Sequence, residues 1–388
     1  MLFCSPLLAQ TALQNREKCI QAKNLGYDFL YRFKPELAFE QFDTAIHYAK
    51  KMNDDILLGV SLSGSGQSLW YMSRFQGAVD SLEKAIYYLR KGRATNWEMS
   101  SALRIISNLY DETGNYAKAF ETVTEAVNLA LKGDDRQNKV LSLVQLGALY
   151  NTIGDSATAM AYYKQADNLN PMRTGYPYRE LHRQMGLLYA GRKAFSMALY
   201  HYNLALPGHP ARRNIYLRIG QCYLLQGKLD TAYKFLHDVY PGAVEVGDVP
   251  ILAPTMIGLG KIYLARGQLD SALLMAKSAF NLATEREGRS NIKNASLLLS
   301  DIYVKRNDSA RAFFYYRRYV SLQDSLLSEQ FRGQLFSFKK NVEEERQRAQ
   351  LRLLKWGILL LSLMAAFIIL ILVLRHKHEK LKLQQRSD

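Results

Sequence analysis

Histidine is the residue type with which this chain could most readily perform acid–base or metal chemistry, and its histidines are scattered. They are His47, His182, His201, His209, His237, His376 and His378. None has the His-Glu-x-x-His spacing of a zinc site, and the three cysteines form no Cys-x-x-Cys pair. His376 and His378 lie among lysines and arginines, which favours a basic cluster over a metal site. The sequence therefore predicts no enzyme active site, no metal and no cofactor.

A glycine- and serine-rich stretch from Ser63 to Ser68 is the other candidate for chemistry, because loops of this composition can bind phosphate. No Gly-Lys-Ser or Gly-Lys-Thr follows it, and no strand pattern precedes it. Gly64 and Gly66 are instead predicted to let two helices pack closely.

The elements that carry these residues are helical hairpins, and one hairpin defines the pattern. The stretch from Leu143 to Pro171 has apolar residues at helical spacing on both sides of a Gly-Asp turn. Its signature residues are Leu146, Gly147, Tyr150, Gly154, Asp155, Ala159, Tyr163, Ala166 and Pro171. One such hairpin cannot bury its own apolar face, so it is expected to stack on copies of itself.

Copies of this hairpin recur along the chain. The alanine that begins the second helix returns at intervals of 40, 41, 40, 39, 34, 40 and 40 residues. These marker alanines are Ala38, Ala78, Ala119, Ala159, Ala198, Ala232, Ala272 and Ala312. A glycine recurs on the first helix at Gly26, Gly66, Gly147, Gly186, Gly220 and Gly260.

The order of these residues resembles the tetratricopeptide repeat family. HEAT and armadillo repeats have similar periods but lack this order of glycine, tyrosine and alanine. The resemblance implies an all-α solenoid of about eight hairpins over residues 10–320. Because the usual period of the family is 34 residues, the extra residues are expected to lengthen the helices or the links. The longest irregular link is expected from Pro241 to Pro254.

The formal net charge of +16 raises the question of nucleic-acid binding. Residues 331–388 hold twelve Lys and Arg against five Asp and Glu, and many of these flank an apolar segment, where basic residues contact lipid headgroups. The remaining positive charge is spread thinly and forms no basic stripe. No nucleic-acid partner is therefore predicted.

Both ends of the hairpin array differ from the repeats. Residues 1–9 resemble the end of a secretory signal peptide, and the alternative is an apolar cap on the first repeat. Residues 321–355 are predicted to form a helical stalk. Phe331, Leu335, Phe338 and Val342 have the spacing of a coiled-coil seam that would join a homodimer, and the alternative is a capping helix.

Residues 356–374 contain no charge and would span about 28 Å as a helix, close to the thickness of a bilayer. They are predicted to form a transmembrane helix, followed by a basic tail at 375–388. Basic residues are nearly balanced on the two sides, so the positive-inside rule does not decide the orientation. A leader would place the repeats outside the cytoplasm at a bacterial inner membrane. Without a leader the repeats would be cytosolic.

The resemblance implies a binding surface on the concave side, which the first helices line. The family positions on that surface are Tyr27, Gln67, Trp70, Tyr71, Arg104, Asn108, Gln145, Asn151, Arg183, Gln221 and Lys261. This mixture suits hydrogen bonds to a peptide and aromatic anchoring. In one subfamily a carboxylate clamp holds a C-terminal acidic peptide. The first three positions of that clamp are occupied here by Arg104, Asn108 and Gln145. The next positions, which are basic in the clamp, are occupied by Glu180 and Gln184. The clamp is therefore not predicted.

The sequence thus predicts a non-enzymatic, membrane-anchored scaffold or adaptor that binds a partner protein or peptide. The order of its parts also resembles bacterial membrane-bound tetratricopeptide sensors, in which a cytosolic output domain follows the span. Only fourteen residues follow Leu374. The alternative is therefore a ligand-sensing component of a membrane signalling system, with its output domain missing or on a separate chain.

Overall fold

Sixteen α-helices form the part of the chain that the computed structural model describes, namely residues 6–32, 34–169, 174–209, 212–286 and 288–384. The first helices of the hairpins are α1 (Pro6–Tyr31), α3 (Asp55–Tyr71), α5 (Asn96–Glu112), α7 (Arg136–Thr152), α9 (Gly175–Gly191), α11 (Arg212–Leu225), α13 (Val249–Ala265) and α15 (Arg289–Lys305). The second helices are α2 (Pro35–Met52), α4 (Phe75–Lys91), α6 (Tyr116–Lys132), α8 (Ser156–Asn168), α10 (Phe195–Ala205), α12 (Leu229–Glu245), α14 (Leu269–Glu285) and α16 (Ser309–Gln384). The predicted all-α solenoid is confirmed. The extra residues lie in the helices, such as α3, α5 and α13 with 17 residues each.

Each hairpin closes where a small residue of the first helix meets the second helix. The marker alanines are fully buried in seven hairpins, and Ala312 is 6% exposed. A Cβ atom at Gly147 would lie 2.5 Å from the ring of Tyr163, and one at Gly186 would lie 2.5 Å from the ring of Tyr202. The two helices therefore approach too closely at these positions for any side chain. The prediction that Gly64 and Gly66 serve close packing is confirmed in the same way.

Two hairpins have a serine in place of this glycine, which the sequence pattern did not explain. Ser107 and Ser300 donate hydrogen bonds of 3.0 Å to the carbonyl oxygens of the marker alanines Ala119 and Ala312. Both serines are buried. A serine hydroxyl that donates to a carbonyl oxygen of the second helix is thus small enough to keep the two helices of the hairpin close together.

The turns inside the hairpins share one backbone conformation. In the second to eighth hairpins the residue five positions before the marker alanine is left-handed, with φ of 76° at Gly114 and 89° at Gly154. The next N–H, that of Asp155, donates to the carbonyl of Tyr150 at 2.9 Å, which caps the first helix as in a Schellman motif. The carboxylate of Asp155 then accepts from the N–H of Thr158 at 3.0 Å and caps the second helix.

The prediction of a long irregular link from Pro241 to Pro254 is wrong. Pro241 lies inside α12 and Pro254 lies inside α13, so only residues 246–248 separate these helices. Pro250 lies in the first turn of α13, where its missing N–H would have no partner within the helix. Helix packing therefore outweighs the roughly 3 kcal/mol that an interior proline costs.

The hairpins curve until distant parts of the stack meet. Arg286, which follows α14, donates from Nη1 to the carbonyl oxygen of Met72 at the end of α3 at 3.2 Å. Arg289 at the start of α15 hydrogen-bonds to Glu329 and Ser325 on α16.

Residues 325–334 of α16, which we call the clasp, also lie against the turns of the third and fourth hairpins. Gln334 Nε2 donates to the carbonyl oxygen of Ile153 at 2.7 Å. A Cβ atom at Gly333 would lie 2.7 Å from Cγ2 of Ile153 and 2.9 Å from the ring of Tyr116. The glycine in this long helix therefore permits a close contact between parts of the chain that are far apart in sequence.

The stalk predicted at residues 321–355 does not begin with a new helix, because α16 runs without interruption to Gln384. Residues up to Gln334 belong to the same compact unit as the hairpins, and residues 335–388 form a second unit. Residues 1–5 of the predicted leader lie outside the described residues, and α1 begins at Pro6. The leader, the coiled-coil seam and the basic tail stay predictions.

Among the described residues, no helix combines the length and the hydropathy needed to cross a bilayer. The transmembrane helix predicted at residues 356–374 is therefore not supported by the structure. Most side chains of that segment lie outside the described set.

Candidate ligand-binding interior

The first helices line the inner face of the hairpin stack, and side chains from three of them meet at α9. Tyr176, Glu180 and Arg183 are spaced four and three apart on α9, so they share one face of that helix. Tyr71 on α3 and Arg104 on α5 lie close enough to Glu180 for its charge to act on both. We call these five residues the interior cluster.

Glu180 is the hydrogen-bonding centre of the interior cluster. Its carboxylate accepts hydrogen bonds from Nε and Nη2 of Arg183 at 2.9 and 2.6 Å, and from Nε2 of Gln184 at 3.0 Å. One carboxylate oxygen lies 3.3 Å from Nε2 of His209. The carboxylate is therefore contacted from α9 and from the loop that follows α10.

Glu180 remains ionised although it is buried. Its side chain is 14% exposed and that of Arg183 is 19% exposed. Burial alone would raise the pKa of Glu180, but the charge of Arg183 and the hydrogen bonds from His209 and Arg183 outweigh it and hold the pKa well below its usual range. Because this charge is already paired, Glu180 repels a carboxylate ligand less than its sequence position suggests.

Two interior arginines keep unused donors. Within the described part of the chain, the buried Nε atoms of Arg104 and Arg218 donate to no acceptor. Burial lowers the pKa of both guanidinium groups, and the nearby charge of Arg183 lowers that of Arg218 further. A buried donor without a partner costs about 1–3 kcal/mol. Both atoms are closed to solvent, so a ligand oxygen reaches them only when the side chain turns, and accepting that hydrogen bond would then remove this cost.

The structure brings three of the predicted groove residues into the interior cluster, namely Tyr71, Arg104 and Arg183. Two others lie beside it. Gln67 donates from Nε2 to the hydroxyl of Tyr71 at 3.1 Å. Gln221 accepts from Nη1 of Arg218 at 3.2 Å.

Four of the remaining predicted residues also lie on first helices, with different surroundings. Tyr27 packs edge-on against the ring of Phe42 at 5.0 Å, within the first hairpin. Gln145 is buried on α7, with 9% of its surface exposed. Asn108 is half-buried on α5, and Lys261 is exposed on α13. No described contact joins these four residues to the interior cluster.

Four residues of this site were not among the predicted binding residues, namely Tyr176, Glu180, His209 and Arg218. Arg218 could have been found, because it stands fourteen residues before its marker alanine, as Gln145 does in its own repeat. The repeat pattern indicates for Glu180 only repulsion of a carboxylate ligand. His209 follows α10 in a loop, where the repeat pattern assigns no position.

The other two buried histidines, His182 and His201, contact each other. His182 on α9 and His201 on α10 have Nδ1 atoms 2.8 Å apart, so one ring donates a hydrogen bond to the other. Burial lowers the pKa of His201, which keeps its ring neutral. Within the described ranges, no three His, Cys, Asp or Glu side chains are grouped so that they could hold a metal ion.

Two stretches of the chain, residues 141–171 and residues 211–285, match models of the tetratricopeptide repeat family. The hairpins within these two stretches are tetratricopeptide repeats. No curated protein matches the sequence.

Several solved structures share the fold of this hairpin array. The Rap conjugation gene regulator of the plasmid pLS20, solved in complex with the Phr* peptide, has a TM-score of 0.60 and 15% identity, over 79% of this chain and 95% of that one. A Rap protein complexed with Competence and Sporulation Factor has a TM-score of 0.55 and 15% identity, over 81% and 99%. The apo quorum sensor NprR from B. thuringiensis has a TM-score of 0.55 and 14% identity, over 81% and 88%. Identities this low establish the fold alone.

Three hydrogen bonds, connected through the backbone between neighbouring residues, form a path from the inner face of the hairpins to the clasp. Trp70, a predicted groove residue, donates from Nε1 to Glu112 at 2.6 Å. The neighbouring Asp111 accepts from the hydroxyl of Thr152 at 3.2 Å, and burial raises the pKa of Asp111 to about 7. Thr152 and Asn151, the last predicted groove residue, end α7, and the next carbonyl accepts from Gln334 in the clasp.

Proposed function

We propose that this chain is a non-enzymatic scaffold or adaptor whose interior binds a peptide or an extended segment of a partner protein. The observation that carries the proposal is two buried, unused Nε donors, one on Arg104 in the interior cluster and one on Arg218 near Arg183. The Rap regulator of pLS20, which shares the fold, was solved in complex with the Phr* peptide, and this likeness supports the same class of ligand.

An extended peptide fits the chemistry of this interior. Its backbone offers carbonyl oxygens along its whole length, and each charge-assisted hydrogen bond from an arginine contributes about 1.5–3 kcal/mol. Tyr71 and Tyr176 are 37% and 45% exposed, so their rings can pack against apolar side chains of a ligand. Glu180 and Arg183 pair with each other and hold α9 in place.

Arg104→Gln and Arg218→Gln are each expected to weaken peptide binding about 10-fold or more, because each removes a charged donor worth at least about 1.4 kcal/mol. The probes are dodecamer peptides selected from a random phage-displayed library on the purified chain, with affinities measured by fluorescence anisotropy. The matched control is Arg90→Gln, since Arg90 forms an exposed ion pair with Glu125 between α4 and α6. Equal affinity for the native chain and both interior variants would exclude the interior as the site.

The clasp favours a ligand-sensing component as the second candidate function. A ligand that engages Trp70 would act on the path that ends at Gln334, whereas a passive scaffold would leave the clasp unchanged. Hydrogen exchange of residues 325–334 in the same peptide complexes distinguishes the two functions. Faster exchange with peptide bound indicates a sensor, and unchanged exchange indicates a scaffold.

We also propose that residues 356–374 attach the chain to a bacterial inner membrane, with the repeats outside the cytoplasm. The support is the uncharged sequence of this segment, with basic residues on both sides. The expressed chain should remain with membranes after an alkaline carbonate wash, and deletion of 356–374 should release it. Protease added to spheroplasts should digest the repeats, and their resistance would contradict this orientation.

A further inference from the structure

The last second helix, α16, exposes a position that the other second helices bury. The residue four positions after the marker alanine is fully buried in the first seven hairpins, as Phe42, Leu82, Val123, Tyr163, Tyr202, Leu236 and Ala276. On α2 and α12 this residue contacts the first helix of the next hairpin, since Phe42 and Leu236 lie against Gly64 and Gly258. The equivalent residue on α16, Tyr316, is 49% exposed. The face that continues the stacking elsewhere is therefore open on α16.

Apolar residues extend this open face along the helix. Four apolar side chains on α16 are exposed, namely Phe313 (63%), Val320 (37%), Leu327 (51%) and Phe331 (65%). They are spaced seven, seven and four residues apart, which places them on one side of the helix. We call Phe313, Tyr316, Val320, Leu327 and Phe331 the apolar stripe. Glu329 and Gly333 contact the hairpins from the opposite side, whereas Gln334 contacts Ile153 from the side of Tyr316. The five stripe residues nevertheless remain exposed while α16 is bound to the hairpins.

We propose that the apolar stripe is the interface of a homodimer, in which α16 of two copies lies side by side in parallel. A stripe with helical spacing is complementary to itself in this arrangement, because each apolar position faces the same position of the second copy. The sequence continues the spacing beyond Phe331 with Leu335, Phe338 and Val342. Parallel pairing covers both parts of this series, whereas antiparallel pairing centred on the stripe leaves the second part uncovered.

The exposed area of the stripe alone reaches the lower bound for a specific dimer. The exposed parts of the five stripe residues amount to about 500 Å² per copy, if a covered aromatic side chain buries roughly 150–250 Å². Two copies would then bury on the order of 1,000 Å², the lower bound for a specific interface, before the continuation of the stripe is counted.

The charges on the stripe oppose parallel pairing only weakly. Asp324 is exposed between Val320 and Leu327, so in a parallel pair it faces Asp324 of the second copy. An antiparallel pair would place it near Arg317 instead. Exposed charge pairs contribute up to about 1 kcal/mol. Full burial of one large apolar side chain contributes about 1.5–3 kcal/mol. Because only parallel pairing also joins the apolar positions Leu335, Phe338 and Val342, their burial outweighs this repulsion and favours the parallel arrangement.

Leu327→Glu tests this interface in the full chain purified in mild detergent, with molar mass measured by light scattering over a concentration series. The native chain is expected to be a dimer, and Leu327→Glu is expected to weaken dimerisation more than 10-fold. The matched control is Phe314→Glu, because Phe314 is 60% exposed on the same helix but lies about 100° around it from Phe313. A native monomer at all concentrations, or a dimer that Leu327→Glu leaves intact, would overturn the proposal.

The parallel orientation of the two α16 helices can be tested separately, by a measurement that does not depend on peptide binding. Leu327→Cys should form a disulfide between two copies under mild oxidation only if they are parallel, because antiparallel pairing centred on the stripe places Leu327 opposite Arg317. Phe314→Cys, with the same native cysteines, is the control and should not crosslink. Asp324→Asn should tighten the dimer. A crosslink at Phe314 but not at Leu327, or a dimer weakened by Asp324→Asn, would contradict the parallel stripe.

Discussion

Gly147→Ala is expected to lower the free energy of unfolding by about 2–3 kcal/mol. The added Cβ atom would lie 2.5 Å from Cε1 of Tyr163 and 3.2 Å from the carbonyl oxygen of Ala159. Both neighbours are fully buried and have little room to move. The ring must leave its preferred rotamer or α7 and α8 must separate, and either change loses packing in the middle of the array.

Gly191→Ala is the matched control for this prediction. Gly191 ends α9, and no atom lies within 4 Å of the Cβ that alanine would add. Because alanine favours helix more than glycine does, this variant should be neutral or more stable by up to about 1 kcal/mol. Urea unfolding followed by circular dichroism gives both midpoints. Equal midpoints for the two variants would mean that the glycine position is not set by close packing.

This contrast explains why the hairpins could be predicted from the sequence. The contact that joins the two helices of a hairpin is local, and in the fourth hairpin it is formed by Gly147, Tyr163 and Ala159. Because every repeat needs an equivalent contact, the residues that form it recur periodically in the sequence. Serine at position 107 breaks the pattern but satisfies the same contact by a hydrogen bond. Pro241 misled the prediction because the rule that proline ends helices is local, whereas the packing of α12 is not.

The site could be predicted only in part, because its geometry depends on the curvature of the stack. The repeat positions indicated that Tyr71, Arg104 and Arg183 face inward. They did not indicate that Tyr71 on α3 comes near Glu180 on α9, which follows from the superhelical path over several hairpins. The clasp has the same origin, since Gln334 and its acceptor lie 181 positions apart.

Glu180→Ala is expected to lower the free energy of unfolding by about 3–5 kcal/mol, because it leaves the guanidinium of Arg183 buried without its carboxylate. Asp230→Ala is the matched control. Asp230 also pairs with an arginine, Arg266, but its side chain is 96% exposed. The loss of this exposed pair should cost less than about 1 kcal/mol. Urea unfolding at pH 7 compares the two, and an equal cost would show that the interior pair is not effectively buried.

The pH dependence gives this prediction a definite sign. The pKa of Glu180 is lowered in the folded chain from its ordinary value of 4.5, so its ionised form stabilises the fold fully above that pH. The stability difference between the native chain and Glu180→Ala should therefore persist at neutral pH and shrink as the pH falls below about 4.5. A difference that grows in acid would contradict the ion pair.

A double variant separates the ion pair from simple loss of packing. Glu180→Leu together with Arg183→Met removes both buried charges and retains apolar volume. Replacement of a buried ion pair by apolar residues is often neutral, so the double variant should recover most of the stability that Glu180→Ala loses. It should still fail to bind the selected peptides normally, because α9 would no longer present the same polar face to Tyr71 and Arg104. Full binding with full stability would mean that the pair has no part in the site.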